Sequence, residues 1–307
     1  MNMPASIAPA QRHCPLPAPD VVQAVAAVLG APEEALDYAK AKVALDALVD
    51  PQADADWTFA ELDRLTAAAR GLAGPGAGEE EKLRAVRAVI YESGPWNGFR
   101  PFAYDHEDCT SSKARLLSHY LKSGRGNCVP MPILFLILAH RLGLNVALVC
   151  APNHFFIRYT SPEGIAFDLE TTSGASPARL EWFRQEMPMS DRALANGLYM
   201  RSLPLREAIA MMAFTNAWEL AAQRRWGEAA ELCGLVLRIY PRTVWALVAA
   251  GSAYGQMFKE EFADRLPDLF LIPQHLLPRR LMLMERNHSL ISAAEHLGWE
   301  PADLDME

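Results

Sequence analysis

Residues 126–170 hold the arrangement that most restricts how this chain can fold. An almost wholly apolar run, Val129-Pro130-Met131-Pro132-Ile133-Leu134-Phe135 onward to about Arg141, is bounded by Gly126 and Gly143. Three strand-like runs follow without interruption: Asn145–Ala151, His154–Thr160 and Gly164–Glu170. A helix this apolar must be buried on every side. Pro130 and Pro132 fit its first turn, where a missing N–H costs little. With helices upstream and a small antiparallel sheet after it, the chain reads as α+β.

The upstream pattern is helical. Val21–Leu29 ends at Gly30, Glu33–Leu48 is followed by Asp50-Pro51, and Phe59–Leu72 places Leu62, Leu65 and Ala69 on one face. Glu79–Tyr91 starts with acids suited to a helix N-terminus and lines up Leu83, Val86 and Ile90. Lys113–Leu121 reads as a further helix, ended by Ser123-Gly124-Arg125-Gly126. Between these, Ser93–Tyr104 mixes Gly and Pro with Trp96, Phe99, Phe102 and Tyr104. That mixture reads as a packed surface loop, with a substrate-cleft wall containing Trp96 as the alternative.

The apolar helix also gives one cysteine a distinctive setting. Gly126-Asn127-Cys128 puts a thiol at the positive end of a helix dipole, where thiolate is favoured over thiol. His154 begins a later strand, with Asp168 and Glu170 beyond it. A cysteine, then a histidine, then an acid, with helix and strands between them, suggests a nucleophile, its base and an orienting carboxylate. The acid depends on strand register. A four-residue loop at Ser161–Gly164 would set His154 opposite Thr171, with both acids on the other face. A three- or five-residue loop is expected to set it opposite Glu170, with Asp168 diagonal to it. Backbone N–H groups at the helix start, including that of Val129, with Asn127 assisting, are the expected oxyanion donors.

Composition excludes several other classes. The 307 residues carry a net charge of −8, which argues against a nucleic-acid partner. No apolar run is long enough to cross a bilayer, and Met1–Asp20 has no basic start or apolar core of a leader, so neither a membrane nor secretion is expected. The five cysteines are odd in number and widely spaced, which fits a reducing cytoplasm and no disulfide framework. His106 and Cys109 form the one short metal-like spacing, and no second pair lies near them; no metal and no cofactor are expected.

The runs Gly124-Arg125-Gly126-Asn127-Cys128, Ala139-x-Arg141-Leu142-Gly143-Leu144, Ala151-Pro152-Asn153-His154-Phe155-Phe156-Ile157-Arg158 and Asp168-Leu169-Glu170-Thr171-Thr172-Ser173-Gly174 together resemble the bacterial transglutaminase-like superfamily over roughly Leu36–Ser202. The resemblance implies a papain-type fold, with Cys128 as nucleophile, His154 as general base and Asp168 or Glu170 as the third member. It implies a peptide or protein substrate. From about Leu205 the chain is helical again. Ala229, Pro241, Gly251 and Tyr254 resemble marked positions of tetratricopeptide repeats, and Arg206–Arg224, Gly227–Tyr240 and Thr243–Met257 approach the 34-residue helical period. Further helices are expected at Gln274–Arg286 and Ser289–Leu297. The expected division is a flexible tail (1–19), a transglutaminase-like domain (20–203), repeat-like helices (204–258) that could dock a protein partner, and a C-terminal helical segment with an acidic end (259–307). Two functions follow: a cysteine hydrolase or acyltransferase acting on an amide, or a catalytically inactive protein-interaction module.

Overall fold

A computed structural model of the chain describes residues 20–265 and 272–301. The expected tail at 1–19, Cys14 and most of the acidic end lie outside the described residues.

The architecture is α+β. Four helices come first: α1 (Val21–Leu29), α2 (Tyr38–Asp46), α3 (Ala55–Ala73) and α4 (Glu79–Tyr91). Then come β1 (Ala103–Tyr104), α5 (Leu117–Ser123), β2 (Arg125–Gly126) and α6 (Pro130–Arg141). The strands β3 (Val146–Ala151), β4 (His154–Thr160), β5 (Ala166–Glu170) and β6 (Ser176–Ala178) form one antiparallel sheet in that order. Two short helices, α7 (Leu180–Glu186) and α8 (Asp191–Ala195), lead to α9 (Leu205–Ala222), α10 (Trp226–Ile239), α11 (Val244–Phe258) and α12 (Leu277–Leu297).

Helix α6 is the centre of the molecule. Every residue from Pro130 to Ala139 is buried. It packs against α2, α3, α4 and α5 on one side and β3 and β4 on the other. Its lack of a polar stripe is thus explained by neighbours all round. The buried cluster it anchors extends from Val21 in α1 to Trp299 beyond α12.

Four local expectations need correction. Glu33–Leu48 is not one helix: a single 3-10 turn at Glu33–Ala35 precedes α2, because Asp37 turns extended and its carboxylate caps the Lys40 N–H at 2.8 Å. Lys113–Leu121 is likewise split. Leu116 is extended, and the Leu117 N–H is taken at 2.8 Å by Asp46 Oδ2 from α2 rather than by its own helix. The two C-terminal helices are one, α12, whose Asn287 donates at 2.8 Å to the Gly251 carbonyl of α11. Gly251 permits that approach, since a Cβ there would lie 2.8 Å from Ile291 Cδ1. Finally, Ser93–Tyr104 contributes a strand: β1 pairs in parallel with β2, Tyr104 opposite Gly126.

Candidate active site

The loop before Cys128 is built by close contact. Gly124 closes α5 in the left-handed region, φ 71°. At Gly126 a Cβ would come within 2.7 Å of Tyr120 and 2.9 Å of Pro130, so a side chain would displace the turn. Asn127, 6 % exposed, then locks the approach to α6. Its Nδ2 donates to Cys109 O at 2.7 Å, and its Oδ1 accepts the Val129 N–H at 3.0 Å. Both polar groups expected to receive an oxyanion are therefore engaged in holding the turn. Trp96 also sits apart from the cysteine's contacts: it packs in a 3-10 turn against α3 and α4, its indole N–H on Ala88 O.

Cys128 emerges from this turn half-buried, its Sγ 3.8 Å from the Asn153 carbonyl. Pro152 and Asn153 form the two-residue turn between β3 and β4, Asn153 with φ 50°. Asparagine tolerates that left-handed geometry better than most side chains. The turn delivers His154, 8 % exposed, as the first residue of β4. His154 Nε2 lies 2.7 Å from Glu170 Oε2, at the end of β5. Glu170 is 2 % exposed, and its other oxygen accepts the Thr172 N–H at 2.8 Å and the Thr172 hydroxyl at 2.6 Å. The Cys128 sulfur lies close enough to the His154 ring for its charge to favour the imidazolium.

The two acids part company here. The β4–β5 loop has five residues, Ser161–Ile165, and pairs Thr160 with Ala166. Continued inward, that register puts Asp168 opposite Arg158, while Glu170 falls level with Phe156 and reaches His154 on the diagonal. The expectation that a five-residue loop sets His154 opposite Glu170, with Asp168 diagonal to it, is one step out. Asp168 instead receives the Arg158 guanidinium on both oxygens, at 2.6 and 2.9 Å, and Arg158 also donates to Met200 O at 2.8 Å. Sequence reading did not single out Arg158. Its place four residues after His154 on the same strand face was the available signal.

Electrostatics follow from this packing. Burial pulls His154 toward its neutral form, but hydrogen bonds and charges from Cys128 and Glu170 override it and raise the imidazole to about 10. Burial pushes Glu170 up, and the His154 and Thr172 contacts outweigh it, so the carboxyl stays below its ordinary range. The other described buried thiols are chemically quiet: burial pushes Cys150 far up, and Cys233 to about 12. No group of three or more metal-ligating side chains occurs among the described residues. Nor is any described helix long and apolar enough to cross a membrane.

A buried histidine held by an acid beside a half-buried cysteine ahead of a helix is what the comparison with protein families then meets. Residues 56–176 match the model of the transglutaminase-like superfamily. The match runs from the start of α3 to the start of β6, narrower than the stretch the motifs suggested, and contains Cys128, His154, Asp168 and Glu170. Two UPF0162 proteins from Xylella fastidiosa, strains 9a5c and Temecula1, are each 24 % identical over 184 residues, covering 57 % of this chain. The chain spans 62 % of the length of these curated relatives. Among solved structures, a crystal structure of menin, titled for its binding site for Mixed Lineage Leukemia (MLL) protein, aligns over 92 % of this chain and 84 % of its own. Its sequence identity is 13 % and its TM-score 0.38.

Proposed function

We propose that this protein is a cysteine-dependent hydrolase or acyltransferase acting on an amide of a peptide or protein, with Cys128 as nucleophile, His154 as general base and Glu170 as orienter. The observation that carries the reading is the buried 2.7 Å contact between His154 and Glu170, with the charge of the Cys128 sulfur acting on the same ring. A histidine held by a buried carboxylate in this way has its tautomer and its aim fixed together.

In this mechanism the Cys128 proton has already passed to His154, and the sulfur bonds to the carbonyl carbon beside the imidazolium. The C–N bond then breaks, and the amine leaves with the proton from His154. A thioester remains on Cys128. Water or a second amine, deprotonated by His154, attacks it; the C–S bond breaks and the proton returns to sulfur. Water gives hydrolysis and an amine gives transfer. The oxyanion is assigned to the Cys128 backbone N–H, with Asn127 and Val129 as the scaffold that fixes it. Asp168 belongs to the support of β4 through Arg158. The helices from Leu205 onward, which resemble tetratricopeptide repeats in sequence, wall the site on the Asn153 side.

Iodoacetamide at neutral pH, with site-resolved mass spectrometry, tests this. Cys128 is expected to react at least about tenfold faster than Cys150, and His154→Ala to slow Cys128 by a similar factor. Equal rates at the two thiols, unchanged by His154→Ala, would leave an inert interaction module as the surviving reading. A substrate screen with and without a primary amine, read by product mass, separates hydrolysis from transfer.

A further inference from the structure

The turn at Asn153 faces two ways. Its carbonyl meets the Cys128 sulfur, and the same residue lines a cavity of about 230 Å³ among α9, α10 and α11. The walls are aromatic and apolar: Phe214, Trp218, Trp226 and Trp245, with Ala249 and Ala253. Trp245 is the pivot. It stacks on Phe155 of β4 at 4.8 Å and on Trp218 at 5.5 Å, so the cavity wall is tied to the strand that carries His154. Its indole N–H is buried and has no acceptor among the described residues, which is uncommon for a tryptophan this deep. The volume is below the roughly 300–1,000 Å³ of clefts that hold drug-sized ligands, and suits one large side chain.

A cation stands at the edge of this cavity. The Arg115 guanidinium lies 5.4 Å over the Trp218 ring and donates to Thr110 O at 3.0 Å. Among the described residues no carboxylate forms an ion pair with it. Trp218, the ring it covers, is itself a wall of the cavity.

We propose that the α9–α11 cavity receives an aromatic side chain of the segment whose carbonyl Cys128 attacks, and that Arg115 receives a carboxylate of that same segment. The substrate class is therefore an acidic peptide or protein segment bearing an aromatic residue close to the reacting amide. This rests on the acyl-transfer reading above and adds its specificity. The repeat-like helices supply half of the binding site, and the cysteine domain supplies the chemistry.

Three peptidyl chloromethyl ketones test it: Ac-Asp-Phe-Phe, Ac-Asp-Ala-Ala and Ac-Asn-Phe-Phe, each scored by the rate of Cys128 alkylation in the full chain. The aromatic probe is expected to react roughly 10- to 100-fold faster than the alanyl one, the range a filled apolar pocket gives. Ala249→Leu, which fills the cavity, is expected to remove that preference while leaving the iodoacetamide rate unchanged. Ser252→Trp, at an exposed position on the cavity rim, is a second blocking variant should the first fold poorly. Arg115→Gln is expected to erase the preference for the Asp over the Asn probe. Equal rates for the Phe and Ala probes, or a preference that survives both blocking variants, overturn the pocket. Equal rates for the Asp and Asn probes in the unmodified protein overturn the role of Arg115. If iodoacetamide itself fails to favour Cys128 over Cys150, the acyl-transfer reading falls and takes the pocket with it; brisk iodoacetamide labelling without probe selectivity sinks the pocket alone.

Discussion

Glu170 and Asp168 are two residues apart on one strand, yet they do different work. Glu170 is spent on His154 and Thr172, Asp168 on Arg158. Glu170→Gln is therefore expected to slow Cys128 reactivity about 100-fold while the fold holds, because the imidazole loses its orienting charge. Asp168→Asn is expected to leave that rate within about threefold and to lower stability by about 1–3 kcal/mol, since Arg158 loses a bidentate partner in a half-buried setting. Rate and denaturant melts on the two variants check this. The histidine adds a pH signature. Its folded value, about 10, lies above its ordinary 6.5, so its contribution is complete below pH 6.5 and is lost as pH rises toward 10. Glu170 runs the other way: held below its ordinary 4.5, it stabilises above that pH and the effect is lost in acid. The difference in melting temperature between wild type and His154→Gln should be widest between pH 4.5 and 6.5 and close toward pH 10. The candidates Cys128, His154 and Glu170 could be named from sequence because a glycine-bounded apolar helix and a strand start are local signals. The choice between acids could not, since it turns on a loop length that shifts every pairing by one. The destinations of the Asn127 amide and the Val129 N–H were equally hidden, being contacts with Cys109 and with each other that no periodicity encodes.

At the level of elements, α2 and α5 are joined by buried charge. Lys42, fully buried in α2, bonds to Asp46 Oδ1 at 2.6 Å and to Arg115 O at 2.9 Å, and Asp46 Oδ2 accepts the Leu117 N–H. The pair thus fixes both the start of α5 and the backbone from which Arg115 extends. Asp46→Ala strands a buried ammonium and a buried N–H, and is expected to cost about 3–5 kcal/mol. Adding Lys42→Met should recover part of that loss, measured by urea denaturation. Helix signals were legible where an amphipathic face and an end residue agree: Val21–Leu29 and Glu79–Tyr91 begin and end as read. They failed where a tertiary contact interrupts a helix-compatible run, as Asp46 does at Leu117. The β1–β2 pair left no trace in the sequence, because two residues are too few to show alternation.

For the molecule as a whole, α9 decides how the halves relate. Ala208 to Ala217 are all buried in it, and it packs on α1, α2 and β3 as well as on α10 and α11. A bridge between Val149 and Ser202 ties the sheet to the segment leading into it. The cysteine-bearing part and the C-terminal helices therefore share one core. Calorimetry is expected to give a single transition for the full chain. A chain ending at Leu203 would bare the faces of α1 and α2 and is expected to melt without a cooperative transition; two resolved transitions in the full chain would show the halves to be independent. The order of helices and strands implied an α+β core, but not that later helices complete it, because no sequence period reports which faces meet.

Cys150 and Cys233 lie in this shared interior, one on β3 and one in α10 beside the cavity. Each is a silent passenger while the fold is closed. Under a slow alkylator the molecule keeps its own log: the first added masses mark the half-buried Cys109 and Cys128, and each later addition dates the opening of a particular wall.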